Sequence, residues 1–491
     1  MITSENQIKN IVEQVLKNIK VKNVPVQSTS SYSGDGIFNS MEDAVLAAKE
    51  AFYKYTSVSL ETRIKIIETM REAAAFNAEK WARMAQEETG MGRVADKIAK
   101  NNLVIAKTPG PEILVPEVQT GDRGLTLTER APYGLIAAIT PSTNPAATII
   151  NNSISFLSGG NSVVYNFHPA AKNVCADAVR VLNKAAVSVG APNNLMTAVA
   201  IPTIETGMTM MKHKEVRLVV VTGGPAVVDA AFGCGKKVIC AGPGNPPVLV
   251  DETADLDLAA KNVILGASFD NNLLCIAEKE LFVVSSVADQ LKDKMSKYGA
   301  QVLRPDQTKQ LMEVILTPEG YPDKKWVGKD AALILKEIGI NVDDSVRLVV
   351  SETDVNHPFV QHELLMPVLP LVRVRDVDQG IEYSIKSEHG FGHTATMYSR
   401  NIENLHKMAC MINTSIFVKN GPSVSGLGFE GEGSTTMTIA SPTGEGCTDA
   451  RTFTRLRRCV LKDYFRIVWI KKIFNHEKHE SHERDFCFIS S

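Results

Sequence analysis

The chain of 491 residues is long enough for about two to four domains, and its 44% hydrophobic and 22% charged residues are ordinary for a soluble globular enzyme. Its 53 Lys and Arg balance 55 Asp and Glu at a net charge of −2, which gives no electrostatic case for nucleic acid or an anionic membrane as a partner. No apolar run approaches the ~18 residues that cross a bilayer, and the eight cysteines include no Cys-x-x-Cys pair, which favours a cytoplasmic protein with reduced thiols and no structural metal.

Residues 1–20 predict a short amphipathic helix, because apolar side chains recur at helical spacing along one face. Ser4 and Gln7 have the spacing of a capping box. The apolar face consists of Ile8, Ile11, Val12, Val15, Leu16 and Ile19. Residues 21–36 are polar, with proline, serine and glycine, and are typical of a linker. The helix could pack on its own domain or dock on a partner helix, and the residues alone leave both open.

From residue 37 onward the pattern is that of an α/β protein. Residues 41–90 have a helical pattern throughout, ending at Gly90, and residues 121–134 alternate around turn residues as a hairpin would. Strands then alternate with helical patterns such as 171–190, which predicts a parallel, doubly wound sheet followed by a second α/β unit from about residue 243. The predicted strands are 135–140, 161–167, 216–223 and 237–242.

One strand-to-helix turn has the composition of a phosphate site. In "VVVTGGPAVVDAA" (219–231), an apolar strand ends at Thr222-Gly223-Gly224 and a helical pattern begins, so the backbone could approach an anion at a helix N-terminus. An ordinary βα turn explains the same residues equally well. The stretch "GLGFEG" (426–431) matches Gly-x-Gly-x-x-Gly, but it follows no strand and opens no helix, so we do not interpret it as a dinucleotide fingerprint.

Two further positions are candidates for chemistry. Asn144 lies in a loop between Pro141 and Pro145, where its amide could stabilise an oxyanion or form an Asx-turn. Cys275, in "FDNNLLCIAEKE" (269–280), is either a nucleophile or a small core residue, and a cysteine taken alone is more often the latter.

Nine stretches in order resemble the aldehyde dehydrogenase superfamily, and within it the CoA-acylating aldehyde dehydrogenases of bacterial microcompartments. They are "EETGMGR" (87–93), "TPSTNPAATIINN" (140–152), "GNSVVYNFHPAAK" (160–172), "VVTGG" (220–224), "GPGNPPVLVDETADLD" (242–257), "SFDNNLLCIAEKE" (268–280), "HPFVQHELLMPVLPLVRV" (357–374), "TSIFVKNGPS" (414–423) and "ARTFTRLRRCVL" (450–461). The resemblance covers residues 37–468. It implies an α/β fold with a doubly wound parallel-sheet cofactor domain and an α/β catalytic domain.

The resemblance also implies boundaries along the chain. They are a targeting helix at 1–20, a linker at 21–36, an NAD-binding domain at 37–241 with the hairpin 121–134 for oligomerisation, a catalytic domain at 242–446, a C-terminal oligomerisation segment at 447–468 and a tail at 469–491. The N-terminal helix resembles the encapsulation peptides of such enzymes. A shell protein is therefore the implied partner of a homodimer or homotetramer inside a cytoplasmic microcompartment. The tail carries His476, His479 and His482, a spacing that could bind metal but is more typical of a solvated tail.

The catalytic cysteine of the family matches Cys275. Its thiolate would attack the aldehyde carbon to give a thiohemiacetal, and hydride loss to NAD would leave a thioester on Cys275. The oxyanion would be held by the Asn144 side chain and the Cys275 backbone N–H, with Thr143 as a rival for the Asn144 role. Because a free thiol has a pKa of ~8.5, a helix end or NAD would have to lower the pKa of Cys275.

A missing residue bears on the acyl acceptor. Hydrolytic aldehyde dehydrogenases carry a Glu near the position of Ala241, but no Glu occurs here between Val238 and Leu249. Attack of water on the thioester would therefore lack a general base. A thiol depends less on such a base, because a thiolate is already a strong nucleophile, so the implied acyl acceptor is CoA. His393 matches a histidine of CoA-acylating relatives that would deprotonate CoA or orient a substrate; a hydrogen-bonded pocket histidine is the alternative.

The remaining implied contacts concern NAD. Glu363, in "HELLMP", matches the Glu that holds the nicotinamide ribose, and the Thr222-Gly223-Gly224 turn would meet the phosphates. The adenosine contact of the family, Lys-Pro-x-Glu, becomes His168-Pro169-Ala170-Ala171 here. The Glu for the ribose 2′-OH is thus absent, while NAD remains the implied cofactor.

The expected reaction is oxidation of a short aldehyde, propionaldehyde or acetaldehyde, with NAD and CoA to acyl-CoA and NADH. One alternative is a hydrolytic aldehyde dehydrogenase that yields a carboxylate. Another is a catalytically silent structural cargo of a microcompartment, against which the intact set of Cys275, Asn144 and Glu363 argues.

Overall fold

The computed structural model describes residues 35–467, so the predicted N-terminal helix, most of the linker and the histidine-bearing tail lie outside the described residues. The strands of the described part are β1 (Ile37–Phe38), β2 (Glu117–Gly121), β3 (Gly124–Pro132), β4 (Leu135–Ile139), β5 (Ser162–Asn166), β6 (Met196–Val199), β7 (Val216–Thr222), β8 (Lys237–Ala241), β9 (Pro247–Val250), β10 (Glu280–Val284), β11 (Ala300–Val302), β12 (Leu348–Glu352), β13 (Val368–Val374), β14 (Thr394–Tyr398), β15 (Ile416–Lys419), β16 (Ile439–Ala440), β17 (Gly446–Cys447) and β18 (Thr454–Lys462).

The α-helices of the same part are α1 (Met41–Tyr55), α2 (Leu60–Thr89), α3 (Val94–Lys107), α4 (Pro145–Ser158), α5 (Lys172–Ser188), α6 (Ile204–Lys212), α7 (Pro225–Phe232), α8 (Leu256–Ser268), α9 (Ser285–Lys297), α10 (Pro305–Ile315), α11 (Ala331–Lys336), α12 (Pro358–Gln361), α13 (Val377–Ser387) and α14 (Ile402–Ile412). Within residues 35–467, no helix combines the length and the apolar character that a membrane crossing requires.

The first large sheet has six parallel strands in the order β1-β6-β5-β4-β7-β8. Side chains alternate along β4, so Ile136 and Ala138 enter one apolar core while Leu135 and Ala137 enter another. Helices α2, α4 and α5 complete the first core, and α1, α6 and α7 complete the second. Helices on both faces confirm the predicted doubly wound parallel sheet. The sequence pattern misses β1 and β6, which have only two and four residues and so show little alternation.

The second large sheet has seven parallel strands in the order β11-β12-β13-β10-β9-β14-β15. Its central strands are buried on both faces: Val248 and Val250 pack with α8 and α9, whereas Leu249 packs with α13 and α14. This sheet is the predicted second α/β unit, and burial on both faces explains its nearly continuous apolar strands.

A third sheet is antiparallel, with the order β18-β3-β2. Its hairpin runs from Glu117 to Pro132 and turns at Asp122-Arg123, so it begins four residues before the predicted 121–134. The side chains of β2 are all exposed, as are those of β18 after Thr454. A role for this sheet in oligomerisation stays a prediction.

The predicted single helix over 41–90 is wrong, because α1 and α2 are separate helices. Hydroxyl groups between them satisfy backbone atoms that a continuous helix would use. Ser57 Oγ donates to the Lys54 carbonyl at 2.8 Å, and Ser59 Oγ accepts the N–H of Thr62 at 3.1 Å. Such local hydrogen bonds compete with a helix interior and favour its ends.

The predicted linker 21–36 extends too far at its C-terminal end. Asp35 accepts a hydrogen bond from Arg180 Nε at 2.9 Å, and the buried Gly36 accepts one from the Ala198 N–H at 2.9 Å. Gly36 has φ +90°, and a Cβ there would lie 2.4 Å from the carbonyl oxygen of Met196. The last two linker residues therefore belong to the folded body.

A buried carboxylate ties the second sheet to the loop after β15. Glu278, two residues before β10, accepts the N–H of Ser423 at 2.8 Å and its hydroxyl at 2.6 Å. Burial nevertheless raises the pKa of Glu278 to about 7. The Glu278 carboxyl group therefore loses its proton near neutral pH while it is hydrogen-bonded to Ser423.

We predict that Glu278→Gln removes a pH dependence of stability. In the folded protein the pKa of Glu278 lies above its ordinary value of 4.5, so protonation of Glu278 stabilises the folded state. This stabilisation is complete below pH 4.5 and is lost as the pH rises through about 7. A shift of this size corresponds to about 2 kcal/mol of unfolding free energy between pH 5 and pH 8. The Gln amide can donate to Ser423 Oγ and accept its N–H, so the tie persists without the titration.

Urea unfolding at pH 5 and at pH 8 checks this. The fall in unfolding free energy from pH 5 to pH 8 should be smaller for Glu278→Gln than for the wild type. Parallel pH profiles for the two proteins would contradict the assignment.

Candidate active site

Three candidate residues lie at the carboxyl edge of the first sheet. Asn144 follows β4, His168 follows β5 and Thr222 ends β7, and these strands are parallel neighbours in the order β5-β4-β7. Ligands of open parallel sheets bind at this edge, beyond the ends of the strands. The turn after β7 and the loop after β4 are thus placed as a cofactor site requires.

The other candidates lie at the amino edge of the second sheet. Cys275 precedes β10, Glu363 precedes β13 and His393 directly precedes β14. These strands lie together with β9 in the order β13-β10-β9-β14. The parallel sheet therefore brings together residues that are up to 118 positions apart in the chain.

Cys275 follows a loop with an unusual backbone. Residues 270–272 all have left-handed φ values, 48°, 54° and 66°, which Asp and Asn tolerate better than most residues. The amide of Asn272 donates to the carbonyls of Ala267 at 2.8 Å and Glu278 at 2.9 Å. The loop is thereby fixed to the end of α8 and to the segment that enters β10.

The expectation that a helix end lowers the pKa of Cys275 is wrong. Cys275 lies in turns between α8 and β10 rather than at a helix N-terminus. Burial and, to a lesser extent, the Glu363 carboxylate raise the pKa of its thiol to about 12, although Lys279 acts in the opposite direction. In the protein by itself, the thiol is therefore protonated at neutral pH.

Lys279 and Glu363 carry opposite charges near the thiol; the Lys279 side chain is buried, and that of Glu363 is 18% exposed. Lys279 Nζ donates to the Asn272 carbonyl at 2.9 Å and lies 4.0 Å from Glu363 Oε1. Burial lowers the pKa of Lys279 and raises the pKa of Glu363, while each charge moderates the shift of the other. The ammonium group thus fixes the Cys275 loop and also supplies the positive charge that favours a thiolate.

His393 packs next to the Cys275 backbone, with Gly244 between them. A Cβ on Gly244 would lie 2.7 Å from the Cys275 carbonyl oxygen and 3.0 Å from His393 Cγ. His393 Nδ1 pairs with Thr394 Oγ1 at 2.9 Å, and its buried Nε2 has no hydrogen-bond partner among residues 35–467. Burial lowers the pKa of His393 to about 4, and the charge of Lys279 adds to this. The ring is therefore neutral at physiological pH.

Asn144 contacts a buried ionic cluster. Its Oδ1 accepts from Lys100 Nζ at 2.6 Å, and its Nδ2 donates to Thr143 Oγ1 at 3.2 Å. Lys100 Nζ also lies 2.5 Å from Asp270 Oδ2, which accepts from Lys97 Nζ at 3.0 Å. Although Asn144 is the N-cap of α4, its side chain makes no capping hydrogen bond, so the Asx-turn alternative loses its support.

Lys100 connects the surroundings of Asn144 with those of the Cys275 loop. It lines a void of about 10 Å³ together with Asn144 and Trp81. It also lines a narrow apolar gap, too small for water, together with Leu274 and Phe429. The amide of Asn144 and the residue before Cys275 therefore share one neighbour.

The turn after β7 fits the phosphates of a dinucleotide. Gly224 is the N-cap of α7 and has no side-chain cap, and a Cβ on it would meet nothing within 4 Å. A Cβ on Gly223 would meet its nearest atom only at 3.9 Å. Thr222 is held by Thr438 through their hydroxyl groups at 2.9 Å. An open helix N-terminus of this kind suits an anion.

His168 and Pro169 are exposed after β5. The His168 ring accepts the N–H of Ala170 at 3.2 Å. In the described part of the chain, no hydrogen bond or ion pair joins these residues to the Cys275 cluster. The structure thus places Cys275, Glu363 and His393 at the same edge of the second sheet, with Lys279 and Gly244 among them, and links Asn144 to the Cys275 loop through Lys100 and Asp270.

Four residues of this site were not predicted from the sequence, namely Lys100, Asp270, Lys279 and Gly244. One signal could have revealed Lys100. Lys97 and Lys100 occupy the buried stripe of α3 that continues to Val104, where an amphipathic helix ordinarily carries apolar residues. Lysines in such a stripe are rare unless they are paired, so the pattern indicates a buried acidic partner.

Comparison with known proteins identifies the family to which the chain belongs. The sequence profile of the aldehyde dehydrogenase family matches residues 20–314. The chain is 51% identical over 471 residues to the acetylating acetaldehyde dehydrogenase EutE of Salmonella typhimurium, across 95% of this chain and 100% of that protein. The chain belongs to the aldehyde dehydrogenase family.

Two solved aldehyde dehydrogenases show the same fold. The propionaldehyde dehydrogenase of Rhodopseudomonas palustris, with bound CoA and an acylated cysteine, has a TM-score of 0.86 and 48% identity over 87% of this chain and 98% of that one. The propionaldehyde dehydrogenase from the fucose utilisation bacterial microcompartment of Clostridium phytofermentans has a TM-score of 0.87 and 46% identity over 88% of this chain and 100% of that one. The aldehyde dehydrogenase fold implied by the nine sequence stretches is therefore confirmed.

We predict that Gly244→Ala in this aldehyde dehydrogenase lowers kcat at least about tenfold, because the new methyl group displaces either the Cys275 carbonyl or the His393 ring. Gly233→Ala is the matched control, since a Cβ there would meet its nearest atom at 3.6 Å, an ordinary contact. Steady-state kinetics and thermal melts of both variants check this. Wild-type kcat in Gly244→Ala would contradict the close packing of the three residues.

Proposed function

We propose that this protein is a CoA-acylating aldehyde dehydrogenase that oxidises propionaldehyde or acetaldehyde, with NAD and CoA, to acyl-CoA and NADH. One observation carries the proposal. The group packed beside the Cys275 backbone is the neutral His393, whereas the strand end at Ala241 offers no carboxylate to activate water. A site of this composition suits transfer of an acyl group to a thiol better than hydrolysis.

The first half-reaction begins at Cys275. Its thiol gives its proton to solvent, and the thiolate attacks the aldehyde carbon. An S–C bond forms as the carbonyl π bond opens, which leaves the thiohemiacetal oxyanion on the sulfur-bound carbon. Lys279 favours the thiolate and Glu363 opposes it, so ionisation depends on the balance of charge in the cleft. When bound, NAD supplies the hydride acceptor and an additional positive charge.

The oxyanion of the thiohemiacetal needs preorganised donors. The Asn144 Nδ2 group and the Cys275 backbone N–H are the proposed pair. Asn144 is suited to this role because Lys100 occupies its oxygen and leaves the NH2 group as the free end of the amide. Thr143 Oγ1, 3.2 Å from Asn144 Nδ2, would orient the amide instead of replacing it.

The second half-reaction transfers the acyl group. The CoA thiol gives its proton to His393 Nε2, and its sulfur attacks the thioester carbon, so that the Cys275 thiolate leaves and acyl-CoA forms. His393 suits the role of base because its ring is neutral and its Nε2 is unpaired among the described atoms. A protonated Nδ1 that donates to Thr394 Oγ1 would leave Nε2 with its lone pair.

The residues proposed to hold NAD come from both sheets. Thr222, Gly223 and Gly224 would meet the phosphates at the open N-terminus of α7. Glu363 would accept hydrogen bonds from the nicotinamide ribose, and the exposed His168-Pro169 segment would contact the adenosine.

A hydrolytic aldehyde dehydrogenase is the second candidate, and Glu363 is the observation that favours it. Glu363 is a partly buried carboxylate whose charge acts on the Cys275 thiol, and its burial raises its pKa. A carboxylate with a raised pKa is a competent base for water. Its role in holding the ribose would prevent that use.

The dependence on CoA separates the two candidates. With aldehyde and NAD but no CoA, we expect about one NADH per active site and then little further product, because the thioester persists. With CoA, turnover should be continuous. Stopped-flow absorbance of NADH measures both phases. Steady carboxylate formation without CoA, at a comparable rate, would favour the hydrolytic reading.

Cys275→Ala is the control for the same experiment. It should lose both the burst and the steady phase, to below about a tenth of wild-type activity, while NAD still binds, because a covalent route has no substitute here.

We further propose that residues 1–20 dock on a microcompartment shell protein and that the protein forms a homodimer or homotetramer through the sheet β18-β3-β2. The apolar face of Ile8, Val12, Val15 and Ile19 supports the first proposal, because amphipathic helices bind in apolar grooves of partner proteins. Exposed apolar side chains on β18, such as Leu456 and Val460, support the second.

We predict that a chain starting at Asp35 keeps its activity but no longer associates with shells. Activity persists because every residue assigned to chemistry lies after that point. Co-purification with shells and thermal melts of the full-length and shortened chains check this. Unchanged shell association would remove the targeting proposal, and a melting temperature lower by several degrees would show that the helix packs on the catalytic body instead.

A further inference from the structure

We infer that Lys100 is a positioning residue that orients the Asn144 amide and links it, through Asp270, to the loop that carries Cys275. The inference rests on the proposed function, in which Asn144 Nδ2 and the Cys275 N–H hold the oxyanion. It assigns to Lys100, in the first half of the chain, the role of holding both oxyanion donors in position.

The hydrogen bonds of Lys100 determine which way the amide faces. An ammonium group can only donate, so the Asn144 atom 2.6 Å from Lys100 Nζ has to be the oxygen. The NH2 group is then directed away from Lys100, with Thr143 Oγ1 at 3.2 Å. A flipped amide would place NH2 against the ammonium and present a lone pair to the oxyanion, which would repel it.

No feature of its own helix holds the Asn144 side chain in this orientation. Asn144 is the N-cap of α4, yet its side chain accepts no backbone N–H, unlike Ser59 at the start of α2. The hydroxyl of Thr143, 3.2 Å from Asn144 Nδ2, can donate as well as accept, so it holds the amide in place without selecting which end faces the oxyanion. Lys100, on α3 and 44 residues earlier in the chain, is the buried partner that supplies the constraint.

The charge balance at Asp270 indicates that Lys100 serves more than ion pairing. The Asp270 carboxylate is fully buried and accepts from two buried ammonium groups, Lys97 at 3.0 Å and Lys100 at 2.5 Å. One lysine would neutralise one carboxylate, and the second adds a positive charge that Asp96 offsets only in part, because Asp96 is itself paired with Arg347. That excess is unfavourable, and burial accordingly lowers the pKa of Lys100 to about 8. The contact with Asn144 distinguishes Lys100 from Lys97 and provides a reason for the second lysine.

Asp270 transmits the constraint to the nucleophile loop. Its Oδ1 accepts the N–H of Arg93 at 2.9 Å, and it begins the left-handed run that ends three residues before Cys275. A Cβ on Gly92 would lie 2.0 Å from Asp270 Oδ1, so the start of α3 approaches the carboxylate as closely as glycine allows. Lys100 therefore holds the Asn144 amide at a fixed place relative to the Cys275 backbone.

Lys100→Met and Lys97→Met form a matched pair. Each removes one ammonium from Asp270 and leaves the other, but only Lys100→Met releases Asn144. We expect Lys100→Met to lower the rate of the first-turnover NADH burst at least about tenfold with little change in the KM for CoA, and Lys97→Met to lower it less than about threefold. Thermal melts should show similar losses of stability for both variants.

A double-mutant cycle with Asn144→Ala separates positioning from general damage. We expect Asn144→Ala to slow the burst about 100-fold, and Lys100→Met to add almost nothing in that background. The inference would be overturned if Lys100→Met slowed the NADH burst by a further tenfold in the Asn144→Ala background. It would also be overturned if Lys100→Met and Lys97→Met slowed the burst equally in the otherwise wild-type protein. Should Lys100→Met not fold, Lys100→Gln, a shorter neutral donor, enters the same cycle with the same expected coupling.

The cycle also distinguishes failure of the inference from failure of the proposed function. If Asn144→Ala keeps its burst rate, the oxyanion role of Asn144 is wrong, and the positioning role of Lys100 fails with it. If Asn144→Ala loses its burst while Lys100→Met keeps it, only the inference about Lys100 is wrong.

Discussion

The Asp270 carboxylate joins the two halves of the site. It is fully buried, which costs several kcal/mol unless the charge is compensated by good hydrogen bonds. The compensation comes from Lys97, Lys100 and the N–H of Arg93, all on or beside α3 in the first half of the chain. Because Asp270 itself belongs to the loop before Cys275, the nucleophile of the second half is fixed to a helix of the first half. Loss of this carboxylate would leave two buried ammonium groups unpaired and release the loop at the same time.

The two parallel sheets then determine which functional groups lie at this junction. The carboxyl edge of the first sheet supplies open backbone at Gly224 and the amide of Asn144. The amino edge of the second sheet supplies Cys275, Glu363 and His393 from segments that enter neighbouring strands. Parallel order matters here, because it places every strand start of the second sheet at one edge. Anchoring of residues on such rigid strands gives the precision that a catalytic constellation requires.

The sequence predicted the sheets and the chemical residues better than the contacts between them. Buried parallel strands have long apolar runs, and Cys275, Glu363 and His393 lie in stretches that resemble a known family, so both signals are local. The pairing of Asp270 with Lys100 joins residues 170 positions apart, and no local pattern specifies that partner. The break between α1 and α2 was not predicted, because Ser57 and Ser59 are compatible with a helical pattern in the sequence. The break depends on hydrogen bonds from their hydroxyl groups to the backbone, which the pattern does not reveal. The pKa of Cys275 was expected to fall, but burial and the charge of Glu363 decide its direction, and neither can be inferred from the loop sequence.

That raised pKa has a consequence for the order of events at the site. With a thiol pKa of about 12, Cys275 is almost entirely protonated at pH 7, whereas a few per cent of a free thiol is ionised. Two charges act on the sulfur in opposite directions: Glu363, which has the larger effect, opposes the thiolate, and Lys279 favours it. One added unit charge within a few ångströms shifts a pKa by about one to three units, so it raises the ionised fraction of the thiol by roughly ten- to 1,000-fold. A positive charge that enters the cleft, or a partner that engages the Glu363 carboxylate, therefore activates the nucleophile. Until then the thiol stays protonated and unreactive toward stray electrophiles and oxidants. The burial that suppresses the Cys275 thiolate thus makes the reactivity of Cys275 conditional on occupation of the site.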